Sequence, residues 1–329
     1  MPANVESMFY LEMEGTPWHG LGKALPKVAT AQEAIEAAEM NWEVETVAVF
    51  CKDGGGKYKE IDNHRAIRRV TDDRVYAIMS ERYTPLQNKD AFTFFDQIVG
   101  EGKAIYHTAG SLNNGAIVWI LAQLPGEIRV LNDDVTKKFI VLTNSHDGSK
   151  AIRAFFTPVR IVCWNTLNIA LKDSSHMASI RHKGDYTAKF QEAAKLMGIT
   201  NAYYEKVGEI YERMAATKLD RIALMFYTKE LWPLPKPPTD RTGTKEEKYE
   251  LVKSLVKERR VQMVKLADHG AGSEMSKGTV WGAFNSATEL LDHYYKNYRS
   301  YNNWTKDVWF GKVARQKQRA FELAVELVR

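Results

Sequence analysis

Cysteine is nearly absent: Cys51 and Cys163, far apart and each inside an apolar run, are the only two in 329 residues. Two thiols cannot build a disulfide framework or a complete thiolate metal site, so a reducing cytoplasm is expected. Long hydrophobic runs are missing as well. No stretch approaches the roughly 18–20 apolar residues that span a bilayer, and the opening MPANVESMFYLEMEG lacks a basic region followed by an apolar one. Neither export nor membrane insertion is expected. Charge of one sign is not in large excess, since 46 Lys and Arg against 41 Asp and Glu leave +5, which suits a polyanion without demanding one. Catalytic signatures are scarce. The eight histidines are scattered with no HExxH or other close metal-ligand pair, and no carboxylate pair or nucleophilic triad assembles from spacing. No metal or cofactor is expected.

What is present reads as α+β. Ala31 to Met40 is helical with Thr30 as N-cap, and Trp42 to Phe50 alternates as a strand. Asp53-Gly54-Gly55-Gly56 then turns the chain to a partner around Tyr58 to Ile61 and Arg65 to Val70. The glycines lack the GxxxxGK[ST] frame and the strand-to-helix setting of a phosphate loop. Val75 to Ser80 is a strand, Asp90 to Val99 a helix, and Ala104 to Ala109 and Gly115 to Leu124 are strands. The run Ala116 to Ala122 is apolar throughout, which predicts a central strand covered on both faces. Beyond Leu171 apolar residues recur three and four apart, predicting helices over Tyr186–Met197, Asn201–Ala216, Leu219–Tyr227, Glu247–Leu266, Ala283–Tyr298 and Trp309–Leu327. The expected organisation is an antiparallel, hairpin-rich sheet packed by helices over residues 1–185. A mainly helical region follows over 186–329, with an exposed Pro-rich loop at 232–245.

The most informative stretch is Lys137 to Leu171. Apolar runs flank His146-Asp147-Gly148-Ser149, and Asp-Gly between strand-like runs signals a hairpin. Pro158 is expected to end or kink the second strand. Val159 to Cys163 resumes a β-branched run, and Asn165 offers an N-cap for a helix from Thr166. The same stretch carries a resemblance. FTPVRIVCWNTLNIAL at 156–171, with TPWHGLG at 16–22, RYTPLQN at 82–88 and GTVWGAFNSATELLDHY at 278–294, resembles the phage and plasmid family known as DUF 932 over nearly the whole chain. The resemblance implies a protein of phages, plasmids and mobile elements, located in the cytoplasm of a bacterial host, and brings no reaction with it. At the level of fold, hairpin-rich sheet followed by helix is similar to the single-strand annealing proteins of the Redβ, Erf and eukaryotic Rad type.

Three functional readings stay open. In the first, a recombination accessory binds single-stranded DNA on a basic groove and promotes annealing as a ring or filament, with no catalytic residue. Lys150, Arg153, Arg160, Arg181 and Lys183 would hold phosphates and Phe155 would stack a base. Arg153 and Phe155 share a strand face by the period of two, although Phe155 and Phe156 read equally as core. Arg65, Arg68 and Arg69 form a second basic group, and Tyr294 to Arg319 interleaves aromatic and basic residues on helices. In the second reading, an enzyme acting on nucleotides uses His146 and Asp147 as acid and base. Cys163 and the Trp18-His19 pair are weighed beside packing roles there. In the third, aromatic-rich helices make subunit contacts in a self-assembling or host-interaction protein.

Overall fold

The computed structural model describes residues 5–12, 22–99, 105–131, 134–160, 165–166, 177–186, 188–191, 200–239, 243–294 and 311–329. Its centre is an eight-stranded sheet built from β1 (Val5–Leu11), β2 (Lys23–Leu25), β6 (Ile105–Leu112), β7 (Ile117–Leu131), β8 (Asp134–Ser145), β9 (Ile152–Arg160), β10 (Asn165–Thr166) and β11 (Met177–Ile180). The order is β10-β9-β8-β7-β6-β1-β2, with β11 also on β9, and every pairing except β1 with β2 is antiparallel. The run Ala116 to Ala122 is buried along its whole length, as a strand apolar on both faces requires. A second, three-stranded sheet holds β3 (Val44–Lys52), β4 (Tyr58–Arg69) and β5 (Val75–Ser80).

Local chemistry explains the element ends. Helix α1 (Ala31–Ala37) opens on a complete capping box: the Glu33 amide donates to Thr30 Oγ1 at 3.2 Å, and the Thr30 amide donates to Glu33 Oε2 at 2.9 Å. In the β3–β4 turn, Asp53 Oδ1 accepts from the amides of Gly55 and Lys57. Asn113 and Asn114, at φ 53° and 56°, take the left-handed conformation between β6 and β7 that Asn tolerates best among non-glycine residues.

Two expectations for the hairpin region are corrected. Strand β9 does not end at Pro158, which stays in register opposite Lys138. On the outer side of β9, β11 stops opposite Phe155 and β10 begins opposite Val159, so Pro158 sits where no described strand asks for an N–H. Asn165 and Thr166 form strand β10 rather than a helix start. Residues 161–164 and 167–176, with the rest of that expectation, lie outside the described residues.

Further helices among the described residues include α2 (Asn88–Val99), α3 (Thr200–Ala216), α4 (Arg221–Leu231), α5 (Thr244–His269), α6 (Ser273–Ser276), α7 (Val280–Glu289) and α8 (Lys312–Leu327). Every residue of α7 is buried, and a short π-helical turn, Leu290–Tyr294, continues it. One hydrophobic cluster joins Val118, Ile120 and Phe156 of the sheet to Tyr211, Trp281 and Phe321 of the helices. Polar ties cross the same boundary: Tyr204 donates its hydroxyl to the Phe139 carbonyl at 2.7 Å, and Trp281 Nε1 donates to Asp134 Oδ2 at 2.8 Å. The protein is α+β, with the mainly helical second half packed on the sheet.

Candidate functional site

Ladder register fixes which side chains share each face of the large sheet. Ile152, Ala154 and Phe156 of β9 join Ile140 and Leu142 of β8 in the main core, which puts Arg153 and Phe155 on the opposite face. There Phe155 lies among Leu121, Phe139 and Val141 with only 9% of its surface exposed. Its ring is therefore wall rather than platform. Arg153 stands where this apolar wall gives way to polar side chains, paired across β8 to Thr143 and across β11 to Ser179.

The environment of Arg153 is unusual. It is half-buried, and among the described residues it has no ion pair and its Nε, screened from solvent, has no hydrogen-bond acceptor. Next to it Thr143 is buried with its hydroxyl unpartnered, and Ser179 is exposed. A cation and a hydroxyl, both without partners on neighbouring strands beside an apolar wall, make an incomplete seat for an anion. The Nε and Oγ1 atoms would gain the partners that the described residues do not supply.

Further cations extend this seat. Two residues beyond Ser179 the exposed Arg181 leaves β11, and Lys183 follows. That segment runs beside residues 82–84: the Thr84 amide donates to the His182 carbonyl at 3.1 Å, and the Gly184 amide donates to Thr84 Oγ1 at 3.2 Å. Tyr83 stacks on His182 at 4.8 Å and 19°, and the Tyr186 hydroxyl donates to the Thr84 carbonyl. Arg82, Arg181 and Lys183 are all exposed, and none makes an ion pair among the described residues. Glu81, Asp147 and Asp185 share these segments and limit the local excess, although Asp147 Oδ1 is engaged by the Ser149 amide at 2.9 Å. Lys150 lies at the foot of the turn, where its amide donates to Ser145 Oγ and its carbonyl accepts from the same hydroxyl. The structure thus brings Lys150, Arg153, Arg181 and Lys183 to one end of the sheet. Arg160 lies at the far end of β9 opposite Thr136, and its side chain is outside the described residues.

Five of the other basic residues considered from the sequence are occupied. Arg65 pairs with Glu60 at 3.3 Å, Arg68 with Glu45 at 2.6 Å and Asp73 at 3.1 Å, and Arg69 with Glu6 at 2.7 Å. In the C-terminal stretch Lys317 is fully buried against Asp292 at 2.9 Å, and Arg319 faces Glu322 and Glu326. Most of that stretch, residues 295–310, lies outside the described residues, as do His19, Trp18 and Cys163.

His146 has a different role from the acid or base considered for it. Its ring is completely buried, against Trp42 at 5.1 Å and Tyr76 at 5.8 Å. Asn88 Nδ2 donates to the Met40 carbonyl at 3.0 Å, which leaves Asn88 Oδ1 to accept from His146 Nε2 at 3.1 Å. The proton is therefore on Nε2, while Nδ1 has no partner. Burial drives its pKa down to about 3, helped by the positive charge of Arg69, so the ring is neutral at ordinary pH. Gly148 presses the tip onto the second sheet, with its Cα edge against Met79. Among the described residues no group of three or more His, Cys, Asp or Glu is arranged to hold a metal.

The corner that receives this tip is RYTPLQN. Tyr83 donates to the Ser145 carbonyl at 3.0 Å and Leu86 O accepts from Asn144 Nδ2 at 3.2 Å. Gln87 closes the edge of β3 by bonding both the amide and the carbonyl of Val44, and Asn88 holds His146. Residues 75–324 match the model of a domain of unknown function, DUF932. The chain belongs to the DUF932 family. No curated protein and no solved structure matches it. The DUF932 span takes in β5, the RYTPLQN corner, the hairpin and buried α7, and so contains Arg82, Thr143, Arg153, Ser179, Arg181 and Lys183. Sequence reasoning missed Thr143 and Arg82. Thr143 reads as one more β-branched strand residue, and only the pairing with Arg153 shows an unpartnered hydroxyl.

Proposed function

We propose that this DUF932 chain is a DNA-recombination accessory of a mobile element. It binds single-stranded DNA across the hairpin end of the large sheet and promotes annealing as an oligomer, without catalytic chemistry. The observation that carries this reading is Arg153: a half-buried guanidinium with no carboxylate, beside an unpartnered buried hydroxyl and in line with Arg181 and Lys183. A phosphate at Arg153 and Thr143 restores the lost hydration of both groups, and the exposed cations take the neighbouring phosphates. Nothing in this arrangement reads base edges, so binding is expected to tolerate sequence and leave bases able to pair.

The test is substitution read by affinity and by salt. Arg153→Ala is expected to lower single-strand affinity severalfold and to reduce the slope of log K against log salt by about one contact. Arg65→Ala, whose guanidinium is held by Glu60, is expected to change neither. Equal behaviour of the two variants would remove the site.

A further inference from the structure

Helix α5 is only half packed. Its buried residues, Val256, Met263, Leu266 and Ala267, all lie from the middle onward, whereas no residue from Thr244 to Leu255 is buried. The packed part is tied to α4 at both ends: Asp268 pairs with Arg221, and Arg260 Nε donates to the Trp232 carbonyl at 2.9 Å. Because α4 ends at Leu231, the first dozen residues of α5 run on past it, about 18 Å of helix at 1.5 Å per residue. The Pro-rich segment after Trp232 has neither helix nor strand through Thr239.

This arm is not polar all round. Tyr249, Val252 and Val256 continue the stripe of Met263 at spacings of four and seven, one side of a helix. Leu251 and Leu255 widen it, and Leu251 is 61% exposed and Val252 38%. The stripe that makes the intramolecular contact therefore continues beyond the end of its cover. Charge divides along the same arm. Glu246, Glu247 and Glu250 precede its centre, while Lys253, Lys257, Arg259 and Arg260 follow it, with Lys245, Lys248 and Glu258 as exceptions.

We infer that the first half of α5 is a dimerisation arm that pairs antiparallel with the same arm of a second copy. A two-fold axis through Leu251 and Val252 lays the two apolar stripes together, brings Glu246 of one copy against Lys257 of the other, and sets the Glu250–Lys253 pair of each arm, 2.8 Å within its own helix, beside the same pair of the other with opposite charges facing. This self-complementarity of the stripe and of the charges selects a second copy over an unrelated helix. The inference uses no residue of the proposed DNA seat.

Sedimentation equilibrium of the full chain without DNA tests it. Wild type is expected to form a reversible dimer, and Leu251→Glu with Val252→Glu to weaken it by at least about tenfold. Both sites are exposed, so thermal midpoints should match at concentrations below the wild-type dissociation constant, where both chains are monomeric. Should that variant fail to fold, two charge-reversed chains decide: Glu246→Lys with Glu250→Lys, and Lys253→Glu with Lys257→Glu. Each alone is expected to be monomeric, and their mixture to recover a one-to-one dimer. Monomeric wild type throughout the micromolar range, or an association that neither set of substitutions weakens, would overturn the inference.

Discussion

At the scale of single residues, partners separate cations and histidines that look alike in sequence. Arg68 and Arg153 are both strand arginines, yet Arg68 reaches Glu45 and Asp73 whereas Arg153 faces Thr143 and Ser179. That difference depends on strand register, which spacing alone does not reveal. His146 is the sharper case. A His-Asp-Gly-Ser turn reads as polar and exposed, but the tip is pushed into an aromatic corner and the ring is buried. Burial has a pH consequence with a definite sign. With the folded pKa depressed to about 3 from 6.5, the contribution of the neutral ring is complete above about pH 6.5. Below that the unfolded chain takes up the proton first, so stability falls by about 1.4 kcal/mol per pH unit as pH drops toward 3. His182 is lowered in the same direction by burial. His146→Gln is expected to be less stable than wild type at pH 7 and to show a shallower loss of thermal midpoint between about pH 6 and 5. An unchanged pH slope would mean that His146 is not the neutral, buried group described.

At the scale of elements, the hairpin was legible because Asp-Gly between apolar runs leaves few alternatives, and α1 because Thr30 and Glu33 form its capping box. The course of β9 through Pro158 was not legible, since it depends on where β10 and β11 begin and end on the outer edge. The packing of the hairpin tip on β5 was equally hidden. Gly148 has φ of 66°, and a β-carbon there would meet Met79 Cε at 1.6 Å, a clash that Met79 must move to relieve. Gly148→Ala is therefore expected to cost about 1–3 kcal/mol in denaturant unfolding, from left-handed strain and lost packing together. Met79→Ala in the same background should remove the packing part of that excess, and plain additivity would assign the whole loss to backbone strain.

At the scale of the whole molecule, sheet and helices share one core, and its least expected component is ionic. Of the basic residues that interleave with aromatics near the C-terminus, Lys312, Arg315 and Arg319 are exposed, but Lys317 turns inward to Asp292 on the π-helical turn beside α7. Burial lowers the Lys317 pKa while Asp292 opposes the shift. Lys317→Met removes the cation 2.9 Å from a buried carboxylate and is expected to destabilise by about 3–5 kcal/mol, with Asp292→Leu added to it recovering part of the loss. A single substitution as mild as the double would show that solvent reaches the pair. The α+β class and the DUF932 family were legible from patterned runs and motifs, three of which fall inside the matched span, whereas the unpaired setting of Arg153 emerged only once strand register had given Arg65, Arg68 and Arg69 their carboxylates. The most direct measurement is fluorescence anisotropy of labelled single-stranded and duplex DNA with the purified chain at two salt concentrations. Binding that prefers the single strand and weakens steeply with salt is the predicted result, and no binding to the single strand at low salt would contradict it.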